Sequence, residues 1–236
     1  MEKQQIPAPM TSNAPDVASH LLGLYNQHQD ARLVFHNYAL TVEVTEKAES
    51  LCVQGQADDT DSAVVRLSAQ FLLTGYLFDY LAPLAHSLRM AAQFLDSHPL
   101  LEPVTACIQT VLGGRTPETT AAKYLSDAWQ ICRYIENGAE KAAILRLERF
   151  LMMNEAFQDQ DWQALQMQEL LQVKLYTHVA KTRYEQGLGA RFLQQKNRME
   201  KSGRTGLEMT PRPFQGLSKR VSGGAVQTFF RTNYRT

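Results

Sequence analysis

The amino-acid sequence predicts an all-α fold, a helical bundle forming a single globular domain with a flexible basic C-terminal tail. Three observations lead to this prediction. Apolar residues recur at intervals of three and four along residues 16–200, the spacing that places them on one face of a helix. Helix start and stop signals separate these segments. No hairpin signal and no sustained alternation of apolar and polar residues is present.

Composition divides the chain into three parts. Residues 1–15 contain Pro7, Pro9 and Pro15 among polar neighbours and offer little to bury, so a disordered lead is expected. Residues 16–202 form the helical domain. Residues 203–236 are rich in Gly, Pro, Ser and Arg, and no independent fold is expected there.

The first helices are predicted from their caps. Asp16 is a candidate N-cap for a helix that follows it. A second helix should run from about Asn37 to Gln54, with Gly55 as its stop. The acidic loop 58–61 should cap a third helix.

Further helices are predicted over 84–97 and over 99–112, the latter stopping at two glycines. Thr116-Pro117-Glu118 is a start signal, with Thr as N-cap and Pro at the first helical position. Later helices are predicted over about 117–135, 139–155 and 159–187, with a final amphipathic piece over 190–201.

The formal net charge of zero conceals an uneven distribution. Residues 1–195 contain 15 Lys and Arg and 22 Asp and Glu, a net charge of −7. Residues 196–236 contain nine Lys and Arg and two Asp and Glu, a net charge of +7. The protein is therefore an acidic body with a basic tail, and a nucleic-acid partner is not expected.

Other features indicate a cytoplasmic address. No segment has the roughly 18 to 20 consecutive apolar residues that are needed to span a bilayer. The start of the chain lacks the apolar core of a secretory signal. Cys52, Cys107 and Cys132 each lie in an apolar segment, so buried free thiols are predicted. The common catalytic motifs are absent: residues 112–116 lack the lysine of a phosphate-binding loop, and no G-x-S-x-G, C-x-x-C or H-E-x-x-H occurs.

Several segments, in order, resemble the motifs of a bacterial branch of the HD-superfamily phosphohydrolases. Residues 35–44, FHNYALTVEV, resemble a motif H-N-Y-x-H-T-x-x-V, and residues 69–77, AQFLLTGYL, resemble A-x-F-H-D-T-G-Y-L. Residues 125–129, LSDAW, are similar to L-x-D-A-D. Weaker parallels cover residues 87–95, 108–117 and 161–197. The resemblance therefore extends over about 35–200 and implies an HD-like helical bundle.

The tail adds a second resemblance. Residues 225–235, AVQTFFRTNYR, look like the segment that joins an HD domain to membrane-spanning helices in Pycsar-type antiphage effectors. Those effectors respond to cyclic pyrimidine nucleotides and damage the membrane. The chain is then expected to belong to a longer protein at the cytoplasmic face of the inner membrane. In the alternative interpretation, the chain is a natural relative of these effectors that lacks the membrane-spanning part.

The resemblance also implies that the metal site is lost. In active HD enzymes two histidines and two aspartates hold a metal that activates water. The corresponding positions are Leu40, Leu72, Leu73 and Trp129, and the H-E pair of the family falls near Pro83 and Leu84. None of the first four side chains can bind a metal. A catalytically inactive domain without a cofactor is therefore expected.

Two roles for such a domain stay open, nucleotide sensing and assembly. A vestigial pocket could place a base between aromatic rings and a phosphate on a lysine. Its candidate ligand-binding residues are His36, Tyr38, Thr74, Tyr76, Asp127, Trp129 and Lys174. Alternatively the pocket has filled with side chains and the domain serves dimerisation. The expected partners are accordingly a cyclic nucleotide, a membrane reached through the tail or a following segment, and a second copy.

The alternative function is a metal-dependent phosphohydrolase or phosphodiesterase that acts on a nucleotide through an atypical site. It requires a divalent metal held by His36, Asp79, His86 and Asp127. In the simpler interpretation, His36 hydrogen-bonds a helix end and Asp127 hydrogen-bonds nearby backbone or a cationic group.

Overall fold

Helix α3 lies at the centre of the protein and packs against α2, α4, α5 and α6. The computed structural model describes residues 16–204, and side chains over 16–200. The helices are α1 (Val17–Gln27), α2 (Tyr38–Gly55), α3 (Asp59–Leu72), α4 (Pro83–Phe94), α5 (Leu101–Leu112), α6 (Thr120–Gln130), α7 (Gly138–Met153), α8 (Asp159–Gln172) and α9 (His178–Arg204). A 3₁₀ turn (Thr74–Leu77) follows α3, and a π turn (Ile131–Ile135) follows α6. No strand occurs in residues 16–204, so the all-α prediction is confirmed.

The core forms where the apolar faces of α2, α3, α5 and α6 meet. Val65, Phe71 and Leu72 of α3 are fully buried, as are Ile108 of α5 and Leu125 of α6. Each of these positions follows the three-and-four spacing of its helix, which is why the sequence pattern predicts the element. The core thus holds the ends of α2, α3 and α6 close to the loop before α2, where the candidate site lies.

The predicted N-caps of α1 and α3 are confirmed, and Asn37, at the predicted start of α2, also caps its helix. Asp16 accepts hydrogen bonds from the N–H groups of the first turn of α1. The Asn37 side chain accepts from the Leu40 N–H at 3.0 Å, and the Asp58 carboxylate accepts from the Asp61 N–H at 2.7 Å. These side chains satisfy backbone donors that have no partner within the helix.

The predicted stop of α2 is correct, but its reason is different. The helix ends at Gly55, yet the residue in the left-handed conformation is Gln56, with φ 55°. A Cβ atom on Gly55 would lie 1.9 Å from the hydroxyl oxygen of Tyr124. Gly55 is therefore required by the close approach of α6, whereas the turn itself is made by Gln56.

The prediction that a helix starts at residues 116–118 is wrong. Helix α6 begins at Thr120, and its N-cap Thr119 accepts a hydrogen bond from the Ala122 N–H at 3.2 Å. Pro117 is buried in the connection between α5 and α6. Packing of that proline places it outside the helix, so the second of two threonines becomes the cap. The two preceding helices differ less from their predicted ranges of 84–97 and 99–112: α4 ends at Phe94 and α5 starts at Leu101.

The predicted helix over 159–187 is two helices. Helix α8 ends at Gln172 and α9 starts at His178. Between them the Asp127 carboxylate accepts hydrogen bonds from the N–H groups of Tyr176 and Thr177, at 2.7 and 2.8 Å. A side chain from a distant helix thus supplies the N-terminal partners of α9, which then continues through the predicted final piece to Arg204.

Two whole-chain predictions can be compared with the structure. Cys52, Cys107 and Cys132 are buried and free, as predicted. Among the described helices, none is long and apolar enough to cross a membrane. The predicted lead over 1–15 lies outside the described residues, as does the predicted tail over 203–236 apart from residues 203 and 204, which belong to α9.

Candidate functional site

The four positions that the resemblance aligns with HD metal ligands lie in the hydrophobic core. Leu72 and Leu73 have no exposed surface, and Leu40 and Trp129 are also buried. All four side chains belong to one contiguous apolar cluster. The region where the resemblance places a metal is therefore filled with packed hydrocarbon and the indole ring.

His36 lies beside this region, in the loop that connects α1 to α2. Asn37 organises the end of the loop, since its side chain donates to the Val34 carbonyl at 2.8 Å while it caps α2. The two hydrogen bonds hold the backbone on both sides of His36. The imidazole is consequently directed into the interior, and the residue is buried.

The imidazole is bound to Glu148 of α7. His36 Nδ1 lies 2.5 Å from Glu148 Oε1, and Glu148 Oε2 accepts from the N–H groups of Phe35 and His36 at 2.6 and 2.9 Å. Glu148 is fully buried. One carboxylate therefore ties the loop before α2 to α7 through three hydrogen bonds.

Burial and neighbouring charges determine the protonation states of this pair. Burial lowers the pKa of His36 and the nearby Arg133 cation acts in the same direction, while Glu148 opposes both. Burial alone would raise the pKa of Glu148, but the hydrogen bonds from His36 and from the backbone outweigh it and hold that pKa below its ordinary value. The pair is accordingly an ionised carboxylate and a neutral imidazole that donates from Nδ1.

Aromatic rings surround the imidazole. The Tyr76 ring is stacked on it, with ring centroids 3.7 Å apart and an angle of 9° between the planes. Tyr80 meets it edge-on at 6.0 Å and Trp129 lies at 6.5 Å. We refer to His36, Glu148, Tyr76, Tyr80 and Trp129 as the His36 cluster. Apolar ring faces exclude water from the carboxylate–imidazole bond and strengthen it.

The 3₁₀ turn positions Tyr76. A Cβ atom on Gly75 would lie 1.8 Å from the Pro83 carbonyl oxygen, so only glycine fits at this approach. The Ser87 hydroxyl accepts from the Gly75 N–H at 2.9 Å and donates to the Leu72 carbonyl at 2.8 Å. The Gly75 and Ser87 of the family-like motifs thus have a structural role, since they anchor the turn that carries Tyr76.

Arg133 of the π turn borders the cluster. Its guanidinium lies over the rings of Trp129 and Tyr134, at 5.6 and 4.9 Å from the centroids, and 3.4 Å from the Glu169 carboxylate. Such contacts stabilise a cation that has lost most of its water. Arg133 thereby places a positive charge close to the His36 imidazole.

Two buried nitrogen atoms in this region, His36 Nε2 and Arg133 Nε, have no hydrogen-bond partner among the described residues. Buried polar atoms of this kind commonly bind water or a ligand. His36 also borders a cleft of about 420 Å³ between α1, the following loop and the start of α2, lined among others by Tyr25, Asp30 and Tyr38. The cleft is large enough for a small ligand.

The predicted pocket residues fall into separate places. His36, Tyr76 and Trp129 belong to one cluster, and His36 and Tyr38 both line the cleft. Of the others, Thr74 is buried and its hydroxyl donates to the Phe71 carbonyl at 2.8 Å.

Asp127 and Lys174 have other environments. Asp127 is buried and caps α9, and burial raises its pKa against the hydrogen bonds from Thr177 and Tyr176. This geometry agrees with the expectation that Asp127 bonds nearby backbone. The expectation for His36 differs from the structure, because its imidazole bonds a side chain instead of a helix end. Lys174 is exposed.

The residues of the alternative metal site each have their own partners. Asp79 accepts from the N–H groups of Leu81 and Ala82, and His86 stacks on Phe78 with ring centroids 5.6 Å apart. Within residues 16–200, no group of three or more His, Cys, Asp or Glu side chains could hold a metal ion.

Sequence reasoning missed Glu148, Tyr80 and Arg133. A signal for Glu148 exists in the sequence, since Ala142, Leu145 and Glu148 follow one another at intervals of three on the buried side of α7. A charged residue at an inward position requires a buried partner. That partner, His36, is 112 residues distant, and no local pattern identifies it.

Comparison of the chain with protein-family models, with curated proteins and with solved structures finds no match.

Proposed function

We propose that this chain is a catalytically inactive HD-like module that mediates assembly in a membrane effector of the Pycsar type, one that responds to cyclic nucleotides. One observation carries the proposal. Leu40, Leu72, Leu73 and Trp129, which correspond to the metal ligands of the HD family, are buried in the core of an all-helical domain.

The chemistry of these side chains supports an inactive domain. Phosphoryl hydrolysis in HD enzymes needs nitrogen and oxygen ligands around a metal that lowers the pKa of bound water. Leucine supplies no donor atom, and the indole nitrogen of Trp129 carries a proton and only donates. Buried histidines or carboxylates without a metal would cost free energy. Apolar replacements convert such a site into core and favour a role in assembly.

The proposal is tested by measuring metal content and turnover on the full chain. After dialysis we expect less than a tenth of an equivalent of Mn, Fe, Ni or Zn by mass spectrometry of the metals. We also expect no hydrolysis of cyclic or linear nucleotides when Mg²⁺ or Mn²⁺ is added, with an active HD phosphodiesterase as the positive control. One tightly held metal ion together with turnover lost in Asp127→Asn or His86→Gln would overturn the proposal in favour of the atypical enzyme.

Nucleotide sensing is a second candidate, favoured by the cleft beside His36. The Tyr25 and Tyr38 rings lie 5.4 Å apart, and both line the cleft together with His36, whose Nε2 atom has no protein partner. A base could stack on Tyr38. Asp30 also lines the cleft, where its carboxylate pairs with Arg32 at 2.7 Å, and Lys174 is not among the lining residues.

Calorimetric titration with cyclic UMP and cyclic CMP tests the sensing role. Saturable binding is expected to weaken at least tenfold in Tyr38→Ala and to be unchanged in Lys174→Ala, an exposed residue outside the cleft. Absence of binding across a panel of cyclic nucleotides would reject sensing at this cleft and leave assembly as the role of the domain.

A further inference from the structure

The outward face of α7 carries a stripe of apolar side chains. Ile144, Leu147, Phe150 and Leu151 are between 37 and 49 % exposed, and Ala143 beside them is also exposed. Their spacing of three and four residues places them on one side of the helix. The opposite side of the same helix is buried and carries Glu148. We refer to these five residues as the α7 stripe.

The α7 stripe is symmetric about Leu147. Ile144 and Phe150 lie three residues to either side of it, and Ala143 and Leu151 lie four residues away. Glu140 and Asn154 bound the stripe, each seven residues from Leu147, which corresponds to about two turns. The pattern therefore reads similarly in both directions along the helix.

Such a pattern is suited to contact with itself around a two-fold axis. If α7 meets a second α7 in the antiparallel direction with Leu147 at the axis, Ile144 faces Phe150 of the second copy. The small Ala143 then faces the large Leu151. At each end the Glu140 carboxylate faces the Asn154 amide, which can donate a hydrogen bond to it. Among these facing positions, no two like charges meet.

We infer that the α7 stripe is the contact surface of a homodimer in which α7 packs antiparallel against α7 of a second copy. The inference deepens the proposed function, on which it rests, by naming the partner and the surface of assembly. The symmetry of the pattern favours a second copy, because an isologous contact places each patch on itself. The stripe contains no charge that would pair with the basic segment 196–236.

The size of the stripe determines how strong the dimer should be. Helix α7 has 16 residues, a length of about 24 Å. One pair of such helices buries less surface than the roughly 1,600 Å² of a typical stable complex. The dimer should therefore form at micromolar concentrations and dissociate on dilution.

Sedimentation velocity of the full chain between 1 and 500 μM tests this inference. The wild type is expected to pass from the monomer of 26.7 kDa to a dimer as concentration rises. Leu147→Glu places two carboxylates together at the axis and should raise the dissociation constant at least 30-fold. Leu171→Glu is the matched control, since Leu171 is 61 % exposed on α8, and it should leave the constant unchanged.

A second pair of variants tests the antiparallel register. Asn154→Lys places an ammonium group opposite Glu140 of the second copy and should tighten the dimer several-fold. Asn154→Glu places two carboxylates together and should weaken it. Asn154 has φ 54°, so both variants carry a similar backbone strain in the monomer, and their difference reports the contact. Equal dissociation constants would overturn the register.

The outcomes separate this inference from the proposed function. A dimer that persists in Leu147→Glu overturns the α7 contact but leaves assembly intact. A monomer at all concentrations overturns both. In that case, slow maleimide labelling of Leu147→Cys relative to Leu171→Cys would indicate that residues 1–15 or 205–236 cover the stripe. Metal-dependent turnover would overturn the proposal that the domain is inactive. Loss of the dimer in Leu147→Glu would still support the α7 contact in that case.

Discussion

The carboxylate of Glu148 receives three hydrogen bonds, two from backbone N–H groups and one from the imidazole of His36. It lies among rings that exclude water, so these hydrogen bonds stabilise its charge in place of solvent. A buried donor or acceptor that loses its hydrogen-bond partner costs more free energy than the same change on the surface. The His36–Glu148 pair therefore contributes, together with the Asn37 hydrogen bonds, to the stability of the loop before α2.

Replacement of Glu148 by Gln is expected to lower the free energy of unfolding by about 2 kcal/mol, because hydrogen bonds to a charged acceptor are replaced by weaker ones to a neutral amide. Urea denaturation followed by circular dichroism measures the change. Glu155→Gln is the control, because Glu155 pairs with Arg149 at a partly exposed site and should cost less than about 1 kcal/mol. Similar losses in the two variants would contradict the proposed importance of the pair.

The same pair should make stability fall in acid. Burial lowers the pKa of His36 in the folded state, so below pH of about 6.5 the unfolded chain binds a proton that the folded chain does not. The pKa of Glu148 is also lowered, and the stability it contributes is lost at still lower pH, as the pH falls through its folded value. Both effects reduce the free energy of unfolding on acidification.

Urea denaturation at pH 7.5, 6.5 and 5.5 measures this dependence. We expect a slope approaching about 1.4 kcal/mol per pH unit from His36, and a smaller slope in His36→Asn, which does not titrate. Equal slopes in the wild type and in His36→Asn would contradict the assignment.

At the scale of the elements, side chains from distant helices decide where helices begin and how they are held. Asp127 of α6 caps α9, and Lys47 of α2 lies 2.7 Å from Glu136, which follows the π turn. Helix α7 is held to α2 by an ion pair between Lys141 and Glu43. The Asp127 cap accompanies the break between α8 and α9, and the two ion pairs join elements that are far apart in the sequence.

Replacement of Asp127 by Ala should destabilise the start of α9 by about 2 kcal/mol, because the N–H groups of Tyr176 and Thr177 lose their acceptor. Hydrogen exchange at residues 176–182 should accelerate in parallel with the global loss. Asp58→Ala removes a cap with a single hydrogen bond at an exposed site and should cost about 1 kcal/mol. A smaller loss in Asp127→Ala than in Asp58→Ala would contradict this role.

At the scale of the whole molecule, charge divides the chain into an acidic part and a basic part with net charges of −7 and +7. A basic segment is attracted to anionic lipid headgroups by about 1 kcal/mol per residue near the surface. The proposed membrane effector requires such attraction at the C-terminal end of this chain.

Sedimentation of the full chain with vesicles of 30 % phosphatidylserine tests the attraction. Substitution of Arg212, Lys219 and Arg220 by Gln should weaken binding about 100-fold, since three basic residues contribute about 3 kcal/mol. Binding should also fall as salt is raised.

The control for this experiment carries the same change in charge on the body. It replaces three exposed residues, Arg66, Arg115 and Lys181. Equal weakening in the two variants would show that the segment from residue 196 onward has no special role at the membrane.

The sequence by itself determined the all-α class, the caps of α1 and α3 and the buried cysteines. These features are local, because a helix face repeats every three to four residues and a cap bonds an N–H group two or three positions ahead. The inability of Leu40, Leu72, Leu73 and Trp129 to bind a metal could also be predicted from the sequence, since it depends only on the chemistry of their side chains.

Tertiary structure alone decided the rest. The partner of His36 lies on α7, the break before α9 depends on Asp127 of α6, and Gly55 is small because Tyr124 lies against it. Each of these contacts joins residues far apart in the chain, and their pairing follows from how the helices pack. The symmetry of the α7 stripe was present in the sequence throughout, but only the packed structure shows that this side of α7 faces outward.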